Sequence, residues 1–532
     1  MKRVGPSIRS PAPTHDRVEV GYNKRIYVIA RMDLPFRVAL CFPRSETGNK
    51  PLDILLVHPP LSGDFFSMPG KEIPLHLCGI ASSLHRAGHS AEILDLNLGR
   101  VDEPRLRAVL QSRQPRIVGI TSYTMNVDRA GDVARWTKAF DPRITTVLGG
   151  FHASALPRET LAEFPDLDMI VFGEGENTLV EILENEKAIS SGKTVDGLVY
   201  RSNGQVITGL AREPIADLDE LPFPARGLVP VRRYIPSPGN FKTLPSSLIY
   251  YSRGCPFHCS FCSKSVFGQT TRYRSAAHFV DEMEQTGRDD GILDFRLADE
   301  IPTVQPQRMR DLCDEIVRRG LAVHWNCNSR VDVVNLDLLR TMKRAGCYHV
   351  MYGAESGNPE TLRRIGKKTT MDQIRSAIQM THQVGMECKA SFMIGFPWET
   401  PEDIDRTIRF SKSLAPDYAY FNVFKPMPGS SLHEEMTREG KIRHRRWSDY
   451  YTGNETQFFD TATPQEVLRK KLRQASFSFY FRPSYLLQKV ARIAKNPGRE
   501  IQVVRGGLWF MAVQIANILF SWPKKRILEK NR

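Results

Sequence analysis

The sequence predicts an α/β fold in three successive parts: a doubly wound parallel sheet, an open barrel of six strand–helix units, and a mainly α-helical C-terminal region. Three observations carry this. Short apolar runs alternate with stretches of helical spacing between residues 53 and 172, and again between 247 and 422, which is the pattern of parallel strands joined by crossover helices. Glycine or polar clusters follow the apolar runs, at the carboxyl ends of strands where ligands bind in such sheets. Beyond residue 436 the strand-like runs stop and positive charge collects.

The 532 residues allow about three domains. With 41% hydrophobic and 25% charged residues, most of the chain is expected to be globular. Residues 1–50 begin basic, contain Pro6, Pro11 and Pro13, and hold no long apolar run; they are expected to form an extension without a targeting role. The net charge of +15 lies mainly in residues 467–532, which hold fifteen Lys and Arg against two Asp and Glu. The nearly neutral body gives no sign of a nucleic-acid partner.

Residues 51–185 are expected to hold the first sheet, with strands at 53–57, 91–94, 116–120, 146–148 and 169–172. A helix from Leu75 ends at Gly88, a C-cap residue. The strands end in His58-Pro-Pro, Thr121-Ser122-Tyr123, Gly149-Gly150-Phe151-His152 and Gly173-Glu174-Gly175-Glu176. Glycine there admits a large ligand close to the backbone. No G-x-G-x-x-G follows the first strand, so a nicotinamide or flavin fingerprint is absent.

Residues 186–245 are expected to be a linker, with a hairpin turning at Asn203-Gly204 and a Pro- and acid-rich stretch from Leu218 to Arg226. Residues 246–435 hold six further runs, at 247–251, 292–295, 323–327, 349–352, 388–394 and 418–422. Their ends carry Asp299-Glu300, Asn328-Ser-Arg330, Gly353-Ala-Glu355-Ser356 and Gly395-Phe-Pro397, as expected where barrel sites form.

The loop after the first of these runs reads Arg253-Gly254-Cys255-Pro-Phe-His-Cys259-Ser-Phe261-Cys262. Three thiolates at C-x3-C-x2-C spacing on one loop can hold three corners of a cubane iron–sulfur cluster. Such a cluster normally takes four cysteines, so one iron is left open for a small molecule. Zinc is an alternative, with His258 as a fourth ligand. The other six cysteines are scattered, without a C-x2-C pair, and read as buried small side chains. Free thiols and an oxygen-labile cluster point to the cytoplasm.

The loop resembles the C-x3-C-x-Φ-C signature of the radical S-adenosylmethionine (SAM) superfamily, with Phe261 as the aromatic. The resemblance implies that Cys255, Cys259 and Cys262 hold a [4Fe-4S] cluster whose open iron chelates SAM, and that Phe261 lies near the adenine. It places a SAM-amino contact at Asp299 or Glu300, a ribose contact at Glu355 within the G-x-E-S-like run that includes Ser356, and further SAM contacts at Gly395 and Arg330. Arg330 suits the SAM carboxylate.

Residues 51–185 resemble the cobalamin-binding domain that precedes this core in one subfamily. The resemblance implies a Rossmann-like B12 site at Thr121, Ser122, Gly149, Gly150, His152, Gly173 and Glu174. The D-x-H-x-x-G pattern is not met: no Asp stands two before His58, and the glycine, Gly63, comes five residues later. A protein histidine below the cobalt is therefore not expected.

The tail, 436–532, carries Arg469-Lys-Lys-Leu-Arg473, then Phe477, Phe479, Tyr480 and Phe481, and a 17-residue uncharged run from Gly506 to Trp522. That run is shorter than the roughly 20 residues a spanning helix needs, so it is expected to lie on an anionic membrane surface as an interfacial helix. The combined resemblance implies a cobalamin-dependent radical SAM methyltransferase, and the basic, aromatic tail suggests a small, amphipathic substrate. A flavodoxin- or ferredoxin-like protein would be the electron donor. A radical cyclase and a non-catalytic sensor are the alternatives.

Overall fold

The computed structural model describes residues 51–60, 70–98, 103–237, 239–443, 446–451 and 456–495. The expectations for residues 1–50, for Gly63 and for the 506–522 run lie outside these residues.

The first sheet has seven strands. Ile54–His58 (β1), Ala91–Asp95 (β2), Ile117–Ser122 (β3), Thr145–Gly150 (β4) and Met169–Val171 (β5) run parallel in the order β2-β1-β3-β4-β5. Every residue of β1 and β3 is buried, which is why these strands read as unbroken apolar runs. The chain changes direction across the sheet between β1 and β3, so the crevice for a ligand opens at their carboxyl ends.

The hairpin forms as expected but not as part of a linker. Leu198–Ser202 (β6) and Gln205–Thr208 (β7) turn at Asn203 and Gly204, both at positive φ. β6 then pairs antiparallel with β5 and extends the first sheet. The reason is burial: Leu198, Val199 and Tyr200 are fully buried and need the β5 edge.

The second sheet is built from Ser246–Ile249 (β8), Asp294–Leu297 (β11), His324–Ser329 (β12), Cys347–Glu355 (β13), Glu387–Ile394 (β14) and Tyr418–Val423 (β15). Between β8 and β11, the short strands Ser252–Arg253 (β9) and Arg272–Tyr273 (β10) pair antiparallel and close the base of the cysteine loop. The six long strands are parallel and follow one another in space, and β8 and β15 form the two free ends. This is the expected open barrel.

Side chains alternate across its wall. Ile394 packs outward with Ile404, Ile408 and Val423 against Leu468 and Ala475 of the tail helix Gln465–Tyr480. Lys389, Ser391 and Met393 therefore face the lumen. A second tail helix spans Pro483–Lys495. Among the described residues no helix is long and apolar enough to cross a membrane.

Candidate functional site

The cysteine loop leaves β9 at Arg253 and needs Gly254 at its first bend. Gly254 has φ +89°, and a Cβ there would stand 2.3 Å from the Thr270 carbonyl oxygen. Backbone bonds fix the rest: Cys262 N donates to Cys259 O at 3.1 Å, Ser260 N to Ile365 O at 2.9 Å, and Leu432 N to Ser260 O at 2.9 Å. Cys255 and Cys259 are partly exposed and Cys262 is exposed. Burial, then the neighbouring Cys259 and Cys255, push the Cys262 thiol up to about 11.

Among the described residues no three His, Cys, Asp or Glu converge on one point, as the ligands of a single ion would. A cubane asks for no such convergence, because each of its cysteines binds a different iron. The three thiols on one constrained, accessible loop fit a cluster.

Of the two carboxylates after β11, Asp299 is the more fully engaged by the protein. Asp299 is buried and accepts from Tyr251 N, from Ser252 N and from Ser252 Oγ at 2.6 Å. It ties the start of the loop to the barrel. Burial outweighs those donors and pushes its pKa up to about 7. Glu300 instead lies by Gly254, and its charge reaches Cys255 and Cys262.

Arg330 is also largely engaged. Its Nε and Nη2 donate to Asp332 at 2.9 and 2.8 Å, and Nη1 reaches Cys259 Sγ at 3.6 Å. Its guanidinium lies 3.8 Å over the Phe257 ring. The cation thus braces the cysteine loop. Glu355, at φ +61°, pairs with Lys367 at 2.8 Å. Ser356 is turned away, fully buried against Thr407 at 3.1 Å. Gly395 N donates to Glu399, and the next residue, Phe396, stands edge-on to Phe261 at 6.3 Å.

The strand ends of the first sheet face the base of this loop across an open cavity. Thr121, Gly149, Gly150, Gly173 and Glu174 line it, together with Tyr250, Arg253 and Phe267 from the barrel side. The cavity also runs inward past Leu56 and Gly119, between the sheet and the helices Leu75–Arg86 and Gly175–Ser190. Gly150, at φ +97°, has no room for a side chain, since a Cβ would stand 2.5 Å from Ser122 O. Tyr123 stacks on Phe151 at 5.6 Å, and Phe151 meets Phe267 at 6.3 Å. A deep apolar slot under a mouth of glycine, hydroxyl and aromatic groups fits a large flat cofactor with a long tail.

Three expected contacts of that cofactor are used otherwise. Ser122 is buried and donates to Gly149 O at 3.2 Å. His152 is fully buried, with its ring 4.4 Å from Trp447. Glu174 lines the cavity, yet its carboxylate is a clamp: Arg253 Nη1 binds it at 2.7 Å, Arg272 Nη1 at 2.9 Å and Ile215 N at 2.7 Å. Glu176 completes the clamp on Arg253 Nη2 at 2.6 Å. Burial alone would raise the Glu176 pKa, but Arg253 reverses this and holds it below the ordinary value.

His58 does not line the cavity. It is buried on Asp95 at 3.2 Å, and Asp95 in turn accepts from the Tyr234 hydroxyl at 2.9 Å. A histidine in no motif, His76, does line the cavity. Its Nε2 is buried without a partner among the described residues, and burial, then His58, push its pKa down to about 3. It is a neutral imidazole. No sequence signal marked it, because it sits in the first turn of an ordinary amphipathic helix.

Comparisons with known proteins agree with this arrangement. Residues 249–411 match the radical SAM superfamily and residues 64–183 the B12-binding domain. The chain is 32% identical over 445 residues to an uncharacterised methyltransferase of Pyrococcus horikoshii, covering 83% of this chain and 95% of the relative. It is also 32% identical over 390 residues to the anaerobic magnesium-protoporphyrin IX monomethyl ester cyclase of Rubrivivax gelatinosus, covering 72% and 70%. A solved structure of the cobalamin-dependent SAM radical enzyme OxsB has the same fold, with a TM-score of 0.65 at 17% identity over 86% of this chain and 72% of that one.

Proposed function

The chain belongs to the cobalamin-dependent radical SAM methyltransferase family, and from that membership we propose that it transfers a methyl group to an unactivated carbon of a small, amphipathic molecule. One observation carries the reading: Arg253 and Phe267, at the two ends of the cysteine loop, line one cavity with the strand ends of the B12-binding sheet, and the Glu174–Arg253–Glu176 clamp ties the base of the loop to that sheet. When bound, the cluster with SAM supplies a 5′-deoxyadenosyl radical and methylcobalamin supplies the methyl group.

The residues divide the work of holding and orienting. Cys255, Cys259 and Cys262 hold the cluster, and Arg330 keeps a positive charge beside Cys259. Glu300 accepts from the SAM ammonium, Glu355 meets the ribose with Lys367 fixing its carboxylate, and Phe261 flanks the adenine. Thr121, Gly149, Gly150 and Gly173 would hold cobalamin at the mouth, and the slot past Gly119 would have room for its tail. The aromatic row Tyr123, Phe151 and Phe267 keeps water from the space between the two centres.

The domains are assigned as 51–185 for cobalamin, 246–435 for the radical core and 436–532 for the tail. A flavodoxin- or ferredoxin-type protein delivers the electron in the cytoplasm. The tail helices expose Phe477, Phe481, Leu486, Leu487 and Val490, which supports peripheral contact with an anionic membrane.

The test is product analysis of the anaerobically reconstituted holoenzyme with SAM and a reductant. Methyl transfer yields S-adenosylhomocysteine as well as 5′-deoxyadenosine. The cyclase relative makes a radical reaction without methyl transfer the second reading, and that reaction yields 5′-deoxyadenosine alone. If neither product forms, the chain is a sensor and not an enzyme.

A further inference from the structure

The barrel lumen is open where a filled barrel would be packed. On the outward face Phe295, Val350, Cys388 and Phe392 are fully buried. On the lumen face Met351, Ser391, Met393 and Asn422 are partly exposed, and Tyr420 is 39% exposed. Interior side chains of a packed barrel are buried as thoroughly as exterior ones. Among the described residues the lumen is therefore a chamber.

Its floor is a polar plug centred on Asn240. Asn240 O accepts from Asn326 Nδ2 at 3.0 Å, its Oδ1 accepts from Lys389 Nζ at 2.5 Å, and its Nδ2 donates to Glu72 Oε1 at 3.3 Å. Two cations stand there. Arg296 is neutralised by Glu72 at 2.5 Å. Lys389 is 2% exposed and has no carboxylate within ion-pair range among the described residues. Its contacts are Asn240 and the Tyr420 ring, 4.7 Å away.

An ammonium has three donors, and Asn240 takes one. Burying such a charge without a counter-ion is costly, and burial, then Arg296, push the Lys389 pKa down to about 7. The chamber above it offers aromatic and thioether surface from Tyr420, Met351 and Met393, with Ser391 and Asn422 as polar points. The charges of Glu72 and Glu387 reach Lys389 from farther off, but among the described residues no carboxylate is in ion-pair contact with its ammonium.

We propose that the lumen seats the substrate with an anionic oxygen group, a carboxylate or a phosphate ester, on Lys389 and its apolar body against Tyr420, Met351 and Met393. This rests on the reading of the barrel as the radical core. It adds that the substrate is an amphipathic anion entering charged end first, with its reacting carbon left toward the strand ends. Lys389 lies five residues before Ile394, about 16 Å of strand, so the ligand is elongated, on the order of 10 Å.

The experiment is calorimetric titration of the cofactor-loaded holoprotein, without reductant, with octanoate, octyl phosphate and octanol. At least one of the two anions should bind about tenfold or more tighter than octanol, and which one does separates carboxylate from phosphate. Lys389→Met should erase that preference while octanol binding, iron content and cobalamin content stay unchanged. Ser391→Glu, which places a carboxylate on the same face two residues along the strand, should erase it too and covers the case in which Lys389→Met fails to fold. Equal binding of anions and octanol by the unaltered protein, or a preference surviving in either folded variant, overturns the proposal. These titrations need no SAM turnover, so a failure here leaves methyl transfer standing. An intact anion preference without S-adenosylhomocysteine would sink methyl transfer alone.

Discussion

Removing the Glu174 carboxylate should uncouple the two sheets. In the structure that group is buried and holds three donors at once: Arg253 Nη1, Arg272 Nη1 and Ile215 N, at 2.7, 2.9 and 2.7 Å. In Glu174→Ala, Arg253 keeps Glu176, but Arg272 is left with the carbonyls of Ile215 and Phe267. Breaking a buried pair by deleting one partner costs about 3–5 kcal/mol, because the other charge stays buried without compensation. Urea unfolding under anaerobic, reducing conditions should register that loss as a lower midpoint. Pairing the change with Arg272→Met in a double-mutant cycle isolates the direct term, expected at about 1.5 kcal/mol or more. Cobalamin affinity should fall with it, since the clamp joins the two walls of the cavity. A cost under about 1 kcal/mol, with a coupling energy within about 0.5 kcal/mol of zero, would mean that water replaces the clamp freely and that the two sheets are not locked by it.

Three further outcomes are expected. Glu176 is held below its ordinary pKa, so the stability it adds is complete above the unfolded value near 4.3 and drains away as pH falls through the folded value; Glu176→Gln should flatten the acid side of the stability–pH curve, and an unchanged curve counts against the pairing. Asp299→Asn should cost about 1–3 kcal/mol by setting an amide against the donors of Tyr251 and Ser252, whereas Glu300→Gln should leave thermal stability alone and weaken SAM binding in equilibrium dialysis; the reverse pattern would exchange their roles. His76→Leu should weaken cobalamin binding in equilibrium dialysis, because it removes a buried polar nitrogen without a protein partner from the cavity wall; an unchanged affinity would leave His76 as a bystander.

Much of this was legible from residue order. The cysteine loop is local, so its spacing alone carries it, and the parallel strands read directly because both faces are apolar. Direction was not legible. Neighbours on a strand point to opposite faces, so Thr121 reaches the cavity while Ser122 packs on Gly149, and a motif that names both cannot say which. Asp299 and Glu300 divide in the same way between loop anchor and open carboxylate. The protein partners of Glu174 and His152 were hidden for another reason: Arg253 and Trp447 are 79 and about 300 residues away. Lys389 is hidden among apolar neighbours in Cys388-Lys-Ala-Ser-Phe, and only its unpaired burial singles it out.

The placement of Arg253 explains why one loop can serve two cofactors. Its side chain is gripped by Glu174 and Glu176 from the B12-binding sheet, and its backbone pairs with Arg272 in the ladder that closes the cysteine loop. Cys255, which we assign to the cluster, follows two residues later, within about 7 Å of chain. Between them stands Gly254, which tolerates no side chain, so the path from clamp to cluster has little freedom. Any shift of the first sheet therefore moves the first cluster ligand with it. Two centres that must hand a radical and a methyl group to the same carbon need a fixed separation, and a clamp two residues from the cluster supplies it without a rigid linker between the domains.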